Sequence, residues 1–90
     1  MDEMRVSILD SNLSDEQFHA LSCSTRRKIL LLVEEEPMCP RDIAEHLEMK
    51  MITIKRNISI LLKCQLVIQS RKGHVLFYQT NQSCLCIAIK

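Results

Sequence analysis

The pattern of apolar and polar positions first indicates a helix that begins near residue 14. Ser14 is a favourable N-cap, and Gln17 stands at the third helical position, as in a capping box. Leu13 and Phe18 are spaced to pack on each other across this start as a hydrophobic staple. These signals predict a first helix that runs to about Leu21.

A second helix is predicted over residues 25–35, and Pro37 ends it. Its broad apolar face consists of Ile29, Leu30, Leu32 and Val33. The first turn carries three consecutive basic residues, Arg26, Arg27 and Lys28. Cations at that end oppose the helix dipole, at a cost of roughly a few tenths of a kcal/mol each at exposed sites, which a helix tolerates.

A helix-turn-helix is predicted over residues 40–63. Pro40 suits the first position of its first helix, a turn occupies residues 48–50, and the second helix covers residues 51–63. Apolar residues at the spacing of one helical face mark the sides that we expect to be buried: Ile43, Ala44, Leu47, Ile54, Ile58 and Leu61.

After this helix the hydrophobic period changes from that of a helix to that of a strand. Residues 66–70 and 74–80 are typical of strands, and Arg71, Lys72 and Gly73 supply the turn between them. A helix-turn-helix followed by a wing at residues 66–80 predicts a winged helix-turn-helix, which is mainly α with a small β-hairpin, an α+β fold. We expect residues 1–90 to form a single domain.

The composition places the chain among ordinary globular proteins. It has 90 residues, of which 47% are hydrophobic and 26% charged, and only three are aromatic, so the core must be aliphatic. Apolar runs reach about five residues, whereas a membrane span needs roughly 20. Because the start of the chain is acidic and unlike a signal peptide, we expect a cytoplasmic protein that does not enter the membrane.

The charges are divided unevenly along the chain. Residues 1–48 hold eleven acidic and five basic side chains, whereas residues 49–90 hold seven basic side chains and no acidic one. A half-chain in which all charged side chains are basic is typical of a protein surface that faces phosphate. The uneven distribution, rather than the net charge of +1, therefore points to nucleic acid.

With these elements in place, the sequence resembles the ArsR-type winged-helix regulators. The resemblance runs without gaps over about residues 15–81. It is carried by ALSCSTRRKIL at the second helix (20–30), DIAEHL in the first helix of the helix-turn-helix (42–47), TIKRNISIL in its recognition helix (53–61), and Leu66, Val67 and GHVLFY (73–78) in the wing. The resemblance implies the same fold and a DNA-binding transcriptional regulator.

The chain departs from this family's pattern at several positions. Glu48 and Gln65 stand where the family has glycine before the recognition helix and before the wing, and Lys50 replaces the serine that opens that helix. Family members that sense soft metals carry Cys-x-Cys at the start of the preceding helix. Cys39 matches its first position, but Arg41 occupies the second, and a cationic side chain cannot replace a thiolate ligand.

The recognition helix and the wing supply the candidate DNA contacts. Lysine, arginine and hydroxyl side chains bind phosphates or base edges, and exposed apolar side chains contact thymine methyl groups. Met51 and Ile52 have an alternative role as core or dimer contacts. The candidates are Lys50, Met51, Ile52, Thr53, Lys55, Arg56 and Ser59 in the helix and Arg71, Lys72 and His74 in the wing.

The five cysteines are expected to be small buried hydrophobes or unreactive thiols. An alternative is a thiolate metal site or redox switch formed by Cys84 and Cys86, on one side of a strand, with Cys39. No cofactor is predicted.

The sequence therefore predicts a regulator that binds double-stranded DNA as a homodimer. The apolar segments 4–9 and 85–89 are the candidate dimer surface. No nucleophile pattern, carboxylate pair or Gly-rich phosphate loop indicates an enzyme. Two alternatives stay open: a winged-helix module that contacts only proteins, and a DNA-binding regulator that responds to metal or oxidation through its cysteines.

Overall fold

The computed structural model describes residues 4–6, 13–81 and 87–89. The elements follow in the order β1 (Met4–Val6), α1 (Asp15–Leu21), α2 (Ser24–Glu35), α3 (Pro40–Leu47), α4 (Met51–Lys63), β2 (Val67–Lys72), β3 (Val75–Thr80) and β4 (Ile87–Ile89). Four helices followed by an antiparallel hairpin confirm the predicted winged helix-turn-helix, and α3 and α4 have the predicted bounds. The second helix begins one residue earlier than predicted, at Ser24.

The predicted capping box forms at the start of α1. The Ser14 hydroxyl accepts a hydrogen bond from the Gln17 N–H at 3.1 Å, and the Gln17 side-chain oxygen accepts one from the Ser14 N–H at 2.9 Å. Gln17 also donates through Nε2 to the carbonyl of Cys64 at 2.6 Å. Because Cys64 is the C-cap of α4, one buried glutamine joins the start of the first helix to the end of the recognition helix.

The turn between α3 and α4 depends on a left-handed residue. Glu48 has a φ of 54°, and the following N–H of Met49 donates to the Ala44 carbonyl at 3.0 Å, which closes the end of α3. Gln65, before the wing, has a φ of 64°. Both are the positions at which the resembled family has glycine, and glycine adopts this conformation without the steric cost that a side chain brings.

The core of the described residues is aliphatic, as the composition predicts, except for Tyr78. It consists of Ala20, Leu21, Ile29, Leu30, Val33, Met38, Ile43, Ile54, Ile58, Leu61, Leu66, Val67 and Tyr78. The buried side of α4 is the predicted one, with Ile54, Ile58 and Leu61 packed inward. Among the residues that the structure describes, no helix is long and apolar enough to span a membrane.

The wing is a two-stranded antiparallel sheet whose last pair is Lys72 with Val75. The turn therefore consists of Gly73 and His74, and Gly73 has the positive φ, 63°, that primed hairpin turns require. The predicted turn was placed too early, because Arg71 and Lys72 belong to β2. Leu66 precedes β2 rather than opening it.

Contacts on its inner side fix the hairpin to the helices. Met38 and Tyr78 exchange backbone hydrogen bonds of 3.0 and 2.9 Å, so the segment between α2 and α3 pairs with β3. At the end of β3, the buried Thr80 hydroxyl donates to the carbonyl of Leu30 in α2 at 3.2 Å. These hydrogen bonds tie the wing to α2 and to the segment that joins α2 to α3.

The two terminal strands form a sheet of their own. β1 pairs antiparallel with β4, with Met4 opposite Ile89 and Val6 opposite Ile87. This pairing joins parts of the two apolar segments that the sequence suggested as a dimer surface. The proposed thiol residues Cys84 and Cys86 lie outside the described residues.

Candidate nucleic-acid interface

The outward face of α4 presents the predicted mixture of basic, hydroxyl and apolar side chains. Lys55, Arg56 and Ser59 are exposed. Met51 and Ile52 are 40% and 65% exposed, which excludes them from the core of this chain. The face can therefore offer donors to base edges or phosphates together with apolar contacts for thymine methyl groups.

A buried hydrogen-bond network holds α4 against α2. Arg26 donates through Nη1 to Oδ1 of Asn57 at 2.9 Å, and Asn57 donates through Nδ2 to the Thr53 carbonyl one turn earlier at 2.9 Å. Asn57 is only 9% exposed although it is polar. Since Asn57 lies on the inward side of α4, this network helps to set which face of the recognition helix points outward.

The basic residues at the start of α2 have partners that the sequence pattern did not reveal. Arg26 donates through Nε to the Ala20 carbonyl, and Arg27 donates through Nη1 to the Leu21 carbonyl, each at 2.8 Å. These carbonyls lie at the C-terminal end of α1, where helix carbonyls lack partners and the helix dipole is negative. The two arginines thus cap α1, which offsets their unfavourable position at the start of α2.

Two further candidates lie at the N-terminal end of α4. Lys50 is exposed at the N-cap and makes no capping hydrogen bond through its side chain. Thr53 is partly exposed in the first turn of the helix.

The wing tip carries the other predicted contacts. Arg71, Lys72 and His74 are all exposed. Arg71 and Lys72 lie at the end of β2, opposite Leu76 and Val75, and His74 is in the turn. Paired residues at the end of a strand, rather than residues of the turn, therefore carry the two permanent charges of the wing tip.

A groove of about 590 Å³ brings the recognition helix and the wing together on one concave face. Its lining includes Lys55 and Ser59 from α4 and His74 from the wing tip. It also includes Arg41 near the start of α3, which sequence reasoning considered only as an obstacle to metal binding. Arg41 is the second residue of α3. This position, at the N-terminal end of the helix-turn-helix, could have indicated from the sequence that Arg41 belongs to the candidate interface.

The described cysteines do not form a common site. Cys39 is the N-cap of α3 and lines the groove. In the parts of the chain that the structure describes, no three His, Cys, Asp or Glu side chains are placed to hold a metal ion. Cys23, Cys39 and Cys64 are free thiols, each partly buried.

The two thiols outside the groove differ in acidity. Burial acts to raise the pKa of Cys23, but the backbone N–H groups of Arg26 and Thr25 and the Arg26 guanidinium outweigh it and lower that pKa below its ordinary value. Burial instead raises the pKa of the Cys64 thiol.

Comparison with protein families and curated proteins finds bacterial regulators. The model of the arsR family of bacterial regulatory proteins matches residues 23–69. The transcriptional repressor SdpR of Bacillus subtilis (strain 168) is 37% identical over 68 residues, which are 76% of this chain and 76% of SdpR. The region that the family model matches includes α2, α3, α4 and the start of the wing.

Solved structures show the same fold. An ArsR-like transcriptional regulator from Rhodococcus sp. RHA1 superposes with a TM-score of 0.72 at 25% identity, over 76% of this chain and 64% of the other. The homodimeric winged helix-turn-helix DNA-binding domain of Mb0332 from Mycobacterium bovis gives a TM-score of 0.70 at 25% identity, over 74% and 63%. The chain thus spans slightly less than two thirds of the length of each of these two structures.

Proposed function

The chain belongs to the arsR family of bacterial regulatory proteins, and on this premise we propose that it is a transcriptional regulator that binds double-stranded DNA. In this proposal α4 lies in the major groove and the wing lies on the adjacent backbone. We expect such a regulator to act in the cytoplasm, where bacterial DNA is.

The observation that carries the proposal is the shared face of α4 and the wing. Lys55 and Ser59 of the helix and His74 of the wing line one groove, and the half of the chain that supplies them has no acidic residue. Backbone phosphates attract such a surface whatever the base sequence. A helix and a wing tip on one side can also contact a duplex at the same time.

The two elements have different tasks in this proposal. Lys55 and Arg56 of α4 contact guanine edges or phosphates, and Met51 and Ile52 contact thymine methyl groups. Lys50, Thr53 and Ser59 donate to phosphates or to base edges at the margins of the helix. Arg71, Lys72 and His74 of the wing contact the backbone, so they contribute affinity more than sequence preference.

We also propose that the protein acts as a homodimer. The M. bovis relative is described as homodimeric, and helix-turn-helix dimers read two half-sites about one helical turn apart. A two-stranded sheet is by itself only marginally stable in water, so the β1–β4 sheet is the surface on which we expect a second copy to pack. Light scattering should then give twice the 10.5 kDa mass of one chain.

Selection from a pool of random duplexes tests the function directly. We expect the intact protein to enrich a motif with two half-sites separated by roughly 10 base pairs, or a multiple of that spacing. The double variant Lys55→Gln/Arg56→Gln should lose the motif. Lys28→Gln is the control, because it removes an exposed cation of α2 that is not one of the proposed contacts. Failure of the folded protein to retain any duplex at low ionic strength would contradict the proposal and favour a protein-interaction module.

A further inference from the structure

The groove between α3, α4 and the wing has features that contact with a phosphate backbone does not require. Its walls are largely apolar. Ile58 is 3% exposed at its base, and Leu62, Leu76 and Tyr78 add further apolar surface. A sugar–phosphate backbone is polar and charged, so it gains little from such walls.

The rim of the same groove is basic. Arg41, Lys55 and His74 come from three different elements, and none of the described residues that line the groove is acidic. The volume of about 590 Å³ lies within the range of about 300–1,000 Å³ that is common for small-molecule sites. Apolar walls under a cationic rim are complementary to a molecule with an apolar body and a negative head.

We propose that this groove binds an anionic amphiphile, such as a medium-chain carboxylate, and that its occupancy excludes DNA. The second part rests on the proposed function, because Met51, Lys55, Ser59 and His74 line the groove and are also proposed DNA contacts. A carboxylate bound beside Lys55 and His74 occupies side chains that the proposed function assigns to the duplex. The ligand and the duplex therefore compete for one surface.

Cys39 provides a probe inside the groove. It is a free thiol that lines the groove, whereas Cys23 and Cys64 lie outside it. We expect octanoate to slow the alkylation of Cys39, measured by peptide mass spectrometry, and to leave Cys23 and Cys64 unchanged. A ligand of about ten non-hydrogen atoms binds at about millimolar concentration, so the titration covers that range.

Two reference compounds separate the requirements for the head and the body. Acetate has the charge without the apolar body, and octanol has the body without the charge. We expect neither to protect Cys39 at the concentration at which octanoate does. Equal protection by octanol would contradict the role of the cationic rim, and equal protection by acetate would contradict the role of the apolar walls.

Two wing variants form a matched pair for the same measurement. Val75 lines the groove and Ile68 does not, but both are apolar strand residues of the hairpin with nearly equal exposures of 45% and 46%. Val75→Glu places a like charge beside the ligand head and should abolish protection by octanoate. Ile68→Glu should leave it unchanged. Equal loss in both variants would overturn the site.

Competition with a duplex tests the exclusion and keeps the two proposals apart. Octanoate should weaken duplex binding at constant ionic strength, whereas acetate should not. Protection of Cys39 in a protein that binds no DNA would support the ligand site and overturn the proposed function. Duplex binding without protection would overturn the site alone, and protection without competition would overturn the exclusion.

Discussion

Two groups of basic side chains in this protein have the same charge and opposite surroundings. At the start of α2, Arg26 and Arg27 are half-buried and donate to the carbonyls of Ala20 and Leu21. On α4, Lys55 and Arg56 are exposed to solvent. The first group holds helices together, and the second is available for a partner.

The difference shows that the hydrogen-bond partners of a basic side chain, and not its charge, decide whether it stabilises the fold or is available for binding. Buried acceptors without hydrogen bonds are costly, so the arginines of α2 serve the fold. Solvated cations without acidic neighbours contribute little to the fold and create the field that attracts phosphate. Variants of the two groups should therefore separate stability from DNA binding.

The largest expected effect is on stability, from Arg26→Ala. The change removes the hydrogen bonds that Arg26 donates to the Ala20 carbonyl and to the buried Asn57, so the free energy of unfolding should fall by about 2–3 kcal/mol. Urea denaturation followed by circular dichroism measures this change. Lys28→Ala, at an exposed position of the same turn, is the control and should stay within about 0.5 kcal/mol. Equal effects of the two variants would show that the hydrogen bonds of Arg26 do not stabilise the fold.

The second effect is on DNA recognition, from Arg56→Ala or Lys55→Ala. If the side chain reads a base, its loss should cost roughly 1–3 kcal/mol of binding free energy and relax the preference at one position of the site. Stability should hardly change, because both residues are exposed. Binding titrations on the selected site and on single-base variants measure the preference. A uniform loss on all sequences would reassign the residue to phosphate.

The wing should give a smaller and less selective effect. Arg71→Ala or Lys72→Ala should weaken binding to all duplexes about equally and reduce the salt slope by about one for each lost contact. Titrations at several salt concentrations on selected and random duplexes measure both quantities. A wing variant that altered the preferred sequence would show that strand β2 reaches base edges.

A fourth prediction concerns the left-handed residue Gln65, where a substitution can change stability and leave every basic side chain in place. Gln65→Gly should raise the free energy of unfolding by up to about 1 kcal/mol, because glycine relieves the strain of a φ of 64°. Glu45→Gly inside α3 should lower it by about 1 kcal/mol, since glycine is a poor helix former. Thermal denaturation of the pair measures the contrast, and destabilisation by both would show that the left-handed position is not strained.

The smallest effect is expected from the cysteines. Duplex affinity should change by less than about threefold on addition of zinc, chelator or mild oxidant, because an arginine at position 41 replaces the second thiol of the family's soft-metal motif. Binding titrations in the three conditions check this. A tenfold or larger change that Cys84→Ser/Cys86→Ser abolished would instead make the protein a metal or redox sensor.

Local signals explain which parts of the fold were predictable. The capping box at Ser14, the proline that opens α3 and the one-face spacing of Ile54, Ile58 and Leu61 each act within a few residues of sequence, and the corresponding elements form as predicted. The family pattern also drew attention to Glu48, which the structure shows in a left-handed conformation.

Long-range contacts explain what was missed. The pattern indicated the unfavourable charges of α2, but their compensation depends on Asn57, which lies 31 residues from Arg26 along the chain. The hairpin turn was placed too early, because Arg71 and Lys72 are polar enough for a turn while strand pairing continues to Lys72 and Val75. Likewise, the apolar walls of the groove form only when α3, α4 and the wing pack together, so the sequence pattern of one element does not indicate them.

The salt dependence of duplex binding by the intact protein tests the central claim most directly. We expect the logarithm of the association constant to fall linearly with the logarithm of salt concentration, with a slope of about −0.9 for each phosphate neutralised. Folding is verified by circular dichroism in the same buffers. A protein that is folded but shows no salt-sensitive duplex binding at low ionic strength would contradict the account.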